Sequence, residues 1–313
     1  MTRLLFLRLS IAIISLVVIS FAVFMFPYIA DGDPVRAILR ARTGQMVMDD
    51  AAIAALRETF GLDRPIYQQY FDWLRNAVVG DLGYSHATRL PVMTQIMPAL
   101  STSLIVISIT LATAVAISLP LSIYMAINRG NAIDTALTMI TQCFIAIPEY
   151  WVAPVLMLTF SLYLGLLPAA GWGDPSNMIL PVAVLCLRPL AYFTHVTRAS
   201  MIDVLESPYI LAARARGLTL VSAVIRHGIR NGIGPLVTLF GIWFGGLLAG
   251  AVLIEVIFAI PGMGRLIYSS VINRDTPLLQ GSIVVLVTIQ ILVNTVCDLI
   301  HALLNPGSAA RHD

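Results

Sequence analysis

Six stretches of nearly unbroken apolar residues alternate along the chain with segments where polar residues collect: 9–28, 99–127, 136–167, 178–199, 233–260 and 280–304. A bilayer core about 30 Å thick takes roughly 20 apolar residues in helix. In hydrocarbon, a helix satisfies all of its backbone polar groups within one segment. The pattern therefore predicts an all-α polytopic membrane protein with six transmembrane helices. Pro148 lies inside the third stretch and predicts a bend there. Arg3 and Arg8 precede the first stretch as they would in a secretory signal. The run Leu9–Phe26 is too long for a signal core, however, and no small-residue cleavage site follows, so it reads as a retained anchor.

Arginines in the short loops set the orientation. With the N-terminus in the cytoplasm, Arg3, Arg8, Arg129, Arg198, Arg214, Arg216, Arg226, Arg230 and Arg311 fall inside. The short outer loops, 168–177 and 261–279, then hold only Arg265 and Arg274. The outer loop 29–98 is too long for that rule and predicts helices of its own. One runs from Ala51 to Phe60, capped by Asp49 or Asp50 and closed by Gly61; a second starts near Asp63, with Pro65 in its first turn, and ends by Gly80. Ile66, Tyr70, Trp73, Leu74 and Ala77 recur on one face of the second. A helical cap on the outer membrane face is the plain reading, and a docking surface for an external partner is the sharper one. The expected organisation is an anchor at 1–28, an extracytoplasmic helical loop at 29–98, a five-helix core at 99–304 with a cytoplasmic loop at 200–232, and a cytoplasmic tail at 305–313.

That cytoplasmic loop predicts two short helices around a glycine turn. Ser207-Pro208 reads as an N-cap and a helix-starting proline, Tyr209 to Arg216 as the helix, and Gly217 as its stop. Thr219 caps a second helix running to about Arg230, ended by Asn231-Gly232. Ile210, Leu211, Ala213 and Leu218 make the first helix amphipathic among Arg214 and Arg216. It is either an interfacial helix whose arginines touch lipid phosphates or a rigid peg gripped by a partner protein.

Composition narrows the chemistry. Only 12% of the 313 residues are charged, about half the share usual in soluble domains, and 58% are hydrophobic. The net charge of +2 suggests no nucleic-acid partner, and every cation of the Lys+Arg set is arginine. Without lysine there is no phosphate-binding GxxxxGK[ST] loop and no Schiff-base chemistry. Cys143, Cys186 and Cys297 lie apart in apolar runs and read as buried fillers. The scattered histidines offer no metal cluster. No GxSxG, HExxH or paired-carboxylate motif points to an enzyme, so no catalytic residues are expected.

The run Tyr209-Ile-Leu-Ala-Ala-Arg-Ala-Arg-Gly217, with Arg226-His-Gly-Ile-Arg-Asn231 and Pro235, resembles the EAA-type coupling segment of ABC-importer permeases. The likeness is to the dipeptide, oligopeptide and nickel branch, and other pieces follow in the family's order. They are Gly32-Asp33-Pro34, Phe60-Gly-Leu-Asp-Arg-Pro65 with Tyr67, Tyr70 and Trp73, Gly80-Asp-Leu-Gly83 with Ser85, and Arg198-Ala-Ser-Met201. Glu255-Val-Ile-Phe-Ala-Ile-Pro-Gly-Met-Gly-Arg265, Asn273-Arg-Asp275 and Gln280-Gly281 complete the set. The resemblance implies the type I permease fold in a bacterial inner membrane. It implies two separate ATP-binding subunits that carry ATP and magnesium, a second similar permease, and an extracytoplasmic binding protein, with no cofactor held by this chain. It places Leu211, Ala212, Ala213, Arg214, Arg216 and Gly217 in the ATPase-coupling helix, with Leu211 standing where the general pattern has glutamate. Peptide is the first substrate it suggests. Nickel or a metal chelate comes second, through the stretch Ser85–Val92 and the chain length.

Ionisable residues within spans are functional candidates by default. Arg188 costs about 2.5–3.5 kcal/mol at a span centre, against about 3–5 kcal/mol returned by the Ile, Leu, Val and Phe of that stretch. It faces either the pore or a structural acid. Glu149, His195, Glu255 and Asp298 join it as candidate pore or polar intramembrane residues. Gly241, Gly245, Gly246 and Gly250 provide two GxxxG spacings for close packing, within the bundle or across a homodimer. A secondary transporter not driven by ATP is the rival reading, but no inverted repeat of any motif accompanies the spans.

Overall fold

The structure, a computed structural model, describes residues 2–30, 57 and 63–304. The expected helix Ala51 to Phe60 (Arg57 apart), the Gly32-Asp33-Pro34 motif and the tail 305–313 lie outside the described residues. The described residues are mostly helical, and among them the only β-pairing is an isolated bridge between Tyr84 and Pro91. Helix α1 spans Thr2–Ala30, α2 Ile66–Val78, α3 Val92–Ile127 and α4 Ala132–Ala146. Helix α5 (Glu149–Tyr163) ends in a π-helical stretch and is followed by α6 (Ser176–Leu205) and α7 (Pro208–Ala215). Then come α8 (Leu220–Gly232), α9 (Gly234–Gly250), α10 (Val252–Ile257), α11 (Met263–Ile272) and α12 (Thr276–Leu304).

Among the described residues four helices, α1, α3, α6 and α12, are long and apolar enough to cross a membrane, and up to six spans result if each of two bent pairs counts as one. The α4–α5 pair bends by 98°. Its cause is local: Ile147 stands before a proline and is extended (φ −83°, ψ 126°), and Pro148 has no N–H to continue the ladder. The α8–α9 pair bends by 50° at Ile233. The expected fifth span 233–260 is thus corrected. Its helix stops at Gly250, and Val252–Ile257 form a separate short helix. Likewise α3 begins at Val92, ahead of the apolar run that announced it.

The chain groups into two compact units, Met1–Ser103 with Pro261–Ile291 and Leu104–Ile260 with Leu292–Asp313. In the first, α2 packs on α1. Tyr70 is buried, its hydroxyl 2.9 Å from Ser20 Oγ, and Phe24 meets the rings of Tyr70 and Trp73. The stripe on α2 therefore turns towards α1, except for Ile66, which is exposed. Pro27 lacks the N–H that Val23 O would accept, and Gln280 Nε2 donates to Val23 O (3.2 Å) and Phe24 O (3.3 Å) instead. In the second unit α6 is central: 61% of its apolar window is buried, against 17% for α1 and 6% for α12.

Candidate functional site

Helix α7 forms as its sequence dictates. Pro208 occupies its first turn, and its end is a Schellman motif in which Gly217 N donates to Arg214 O (2.9 Å) and Leu218 N to Ala213 O (3.3 Å). Gly217 holds φ +91°, where a side chain is strained although the space around it is open. Ser207 does not cap with its hydroxyl, which donates back to Val204 O, whereas Thr219 Oγ1 does cap α8 by accepting from Ser222 N at 3.3 Å.

One face of α7 is seated in a socket. Ile210 and Ala213 are fully buried with Ala126 of α3, Met201 and Val204 of α6, and Ala223 and Val224 of α8, with Leu218 packed against the group. Close approach of α8 to α6 depends on glycine: a Cβ at Gly232 would fall 2.3 Å from Met201 Cε, and one at Gly228 3.0 Å from Val204 Cγ1. The socket divides the residues expected in the coupling helix between two faces. Leu211, counted among the apolar residues of this helix, is 55% exposed, because it lies off the Ile210–Ala213 side. Ala213 is buried and cannot meet a partner directly. The open face carries Tyr209, Leu211, Ala212, Arg214, Ala215 and Arg216. A helix held on one side and bare on the other, joined to α6 through a short turn, is a rigid projection.

Above it, α6 runs antiparallel to α4–α5 along a seam with three polar rungs. Arg198 clamps Asp134 with two hydrogen bonds, Nε to Oδ1 at 2.8 Å and Nη2 to Oδ2 at 2.6 Å. His195 Nε2 lies 3.1 Å from Thr141 Oγ1. Arg188 Nε stands 3.8 Å from Glu149 Oε1, an ion pair without a hydrogen bond. The first rung is closed: Asp134 is buried, its carboxylate accepts also from Gly130 N (2.9 Å), and its own N–H donates to Asn131 Oδ1 (2.8 Å). The last is open, with the Arg188 side chain 41% exposed.

The structure thus joins Glu149 to Arg188 and His195 to Thr141, while α10, which carries Glu255, packs against α5 and α6, and Asp298 lies on α12. Glu255 is buried in α10 and Asp298 half-buried in α12, and both are partnered. Asp134 escaped sequence reading, and Arg198, taken for a loop cation, lies inside α6. Cys186 and Cys297 are buried as expected, but Cys143 is exposed. Gly241 packs against Asn294 and Cys297 of α12, while Gly246 and Gly250 face open space. An apolar groove of about 830 Å³ between α3, α9 and α12 holds no charged residue.

In the first unit, Asp275 was quoted only as part of a motif. Its carboxylate is buried and accepts from Ser85 Oγ, His86 N (3.0 Å) and Leu278 N (3.4 Å), which ties the loop after α2 to the start of α12. Arg274 before it sits at φ +52°.

Residues 118–309 match the family described as binding-protein-dependent transport system inner membrane component, and residues 1–110 match the N-terminal membrane component of the same systems. The dipeptide transport system permease protein DppB of Escherichia coli (strain K12) is 32% identical over 330 residues, covering 96% of each chain. The glutathione transport system permease protein GsiC of Escherichia coli O6:H1 (strain CFT073) is 35% identical over 293 residues, covering 94% of each. A chain of the MetNI methionine ABC transporter, solved in inward-facing conformations, shares the fold with TM-score 0.57 and 18% identity, covering 68% of this chain and 97% of that one.

Proposed function

The chain belongs to the family of binding-protein-dependent transport system inner membrane components, and from that premise we propose that it forms half of a pore importing short peptides at the expense of ATP. Membership of the family makes it a transport permease of the inner membrane rather than an enzyme. ATP and magnesium reside on two partner subunits beneath the membrane, a second, similar permease completes the pore, and an external binding protein delivers the solute. Peptide is favoured as cargo because both curated relatives carry peptides, a dipeptide in one case and glutathione in the other.

The observation that supports an ATP-driven reading is the seating of α7. Its buried side is fixed among α3, α6 and α8, so force applied to its bare side passes into α6 rather than into a loose loop. The coupling role falls to the exposed Leu211, Ala212, Arg214 and Arg216, with Gly217 closing the helix and Ala213 holding it down.

The test is ATP-coupled uptake in vesicles containing all subunits. Leu211→Asp with Arg214→Glu leaves membrane insertion normal and cuts uptake at least about tenfold, which corresponds to about 1.4 kcal/mol of lost coupling. Gly217→Pro, which removes the N–H donated to Arg214 O, acts in the same direction. Full transport in both variants overturns the assignment. So does solute exchange at full rate by this chain without the ATP-binding subunits.

A further inference from the structure

Two arginines of α6 sit on the same seam, about 15 Å apart along the helix, and the protein treats them differently. Arg198 is saturated, with two short hydrogen bonds to a buried carboxylate. Arg188 is not. Its Nε is buried without a hydrogen-bond partner, its closest acid is 3.8 Å away, and 41% of its side chain is open. Among the described residues no acceptor bonds any of its donors, although a guanidinium carries five. Poor local packing is not the reason, since the flanking Pro189, Leu190 and Leu185 are all buried. A charge in the middle of a span is not left open to lipid, so its exposed side faces water or protein.

Glu149 is held comparably loosely. It is the first residue of α5, directly beyond the Pro148 break, and its side chain is 20% exposed. The helix start favours its negative charge. The pair therefore presents one cation and one anion on separate helices, close enough to neutralise each other and too far apart to bond.

We propose that Glu149 and Arg188 form a transient binding site for a zwitterionic solute, Arg188 taking a carboxylate and Glu149 an ammonium group. This rests on the peptide-importer reading and adds to it a recognition site within the permease itself. A zwitterion replaces each partner of the pair with its own opposite charge, so the site's net charge does not change as the solute enters and leaves. The carboxylate can meet the planar guanidinium through two parallel hydrogen bonds, which Glu149 at its present distance does not make. A bare metal cation has no such exchange available, because Arg188 repels it. Tyr192, one turn further along α6 and packed at a tilt against Trp243 with ring centroids 5.3 Å apart, offers an uncharged wall beside the pair.

The experiment uses the complete importer, this chain with its partner permease and ATP-binding subunits, in lipid nanodiscs without the external binding protein, which would otherwise impose its own selection. Binding of dialanine, its C-terminal amide and its N-acetyl form is measured by saturation-transfer NMR. Dialanine binds at least about tenfold more tightly than either blocked form. Arg188→Gln abolishes the difference between dialanine and its amide, and Glu149→Gln abolishes the difference between dialanine and its acetyl form. Arg188→Lys, which keeps the charge without the fork, retains a reduced preference and serves as the folding control. Equal binding of all three compounds by the wild-type complex overturns the proposal, as does unchanged discrimination in Arg188→Gln. Uptake of dialanine by the wild-type importer with its binding protein is run in parallel. If that fails, the peptide-importer reading falls; if it succeeds without discrimination at this pair, only the binding site does.

Discussion

An arginine inside a membrane span is tolerated only where something satisfies it, and α6 shows both a complete and an incomplete solution. At Arg198 the solution is structural. Asp134 is 5% exposed, and removing its partner would leave a buried carboxylate with the Gly130 N–H as its remaining donor. Arg198→Met is accordingly expected to destabilise the protein by about 3–5 kcal/mol, while the double variant Asp134→Leu, Arg198→Met recovers most of that loss. Thermal unfolding of the purified protein in detergent measures both, and a double variant no more stable than the single one contradicts the account. The exposed Arg129–Glu206 pair, at 3.1 Å, contributes little by comparison. Sequence could not reveal the Asp134 clamp. Asp134 looks like an ordinary first-turn acid behind the Asn131 cap, and its partner lies 64 positions away with no local pattern linking the two. Pro148 is the opposite case. The bend it causes is written in one residue's missing N–H and in the extended backbone of the residue before it.

At the scale of an element, α7 shows how far periodicity carries and where it stops. Proline at the start, glycine at the end and the apolar spacing between them place the helix to within a residue. Which apolar residues face inward is a different question, because Ile210 and Leu211 are equally hydrophobic and about 100° apart on the helix. Only the shape of the socket formed by α3, α6 and α8 selects Ile210 and Ala213. The two alanines side by side then separate seating from docking. Ala213→Arg forces a charge into a closed cluster and unseats the helix, so trypsin added to inside-out vesicles cuts rapidly after Arg214 and Arg216. Ala212→Arg changes only the bare face and leaves cleavage at the wild-type rate, provided the partner subunits are absent. Equal protease sensitivity of the two variants would show that α7 is not held by the face described here.

Across the whole molecule, residues that matched family motifs without an evident reason turn out to be points where distant segments meet. Within the first unit, seven consecutive positions at the head of α12 reach three places. Asp275 binds the loop after α2, Gln280 supplies the donors that Val23 and Phe24 of the proline-interrupted α1 take up, and Gly281 lets the start of α3 come close. None of these was predictable from local pattern, since a buried acid, an amide and a glycine each have many possible uses. The glycine gives the sharpest test. A Cβ there would lie 2.7 Å from Val92 Cγ1, 3.1 Å from Leu82 Cδ1 and 3.3 Å from Ile96 Cδ1. Val92 and Ile96 are fully buried and have no room to yield. Overpacking of this kind costs about 1–3 kcal/mol, so Gly281→Ala lowers the unfolding midpoint and Gly281→Val lowers it further. The loop 81–91 loosens with it, because its anchor Asp275 sits at the same helix end, and trypsin applied from the outer side cleaves after Arg89 faster than in the wild type. Pairing Gly281→Ala with Val92→Ala removes the closest clash and returns part of the stability. If the pair is no better than the single change, α12 and α3 do not meet at this glycine.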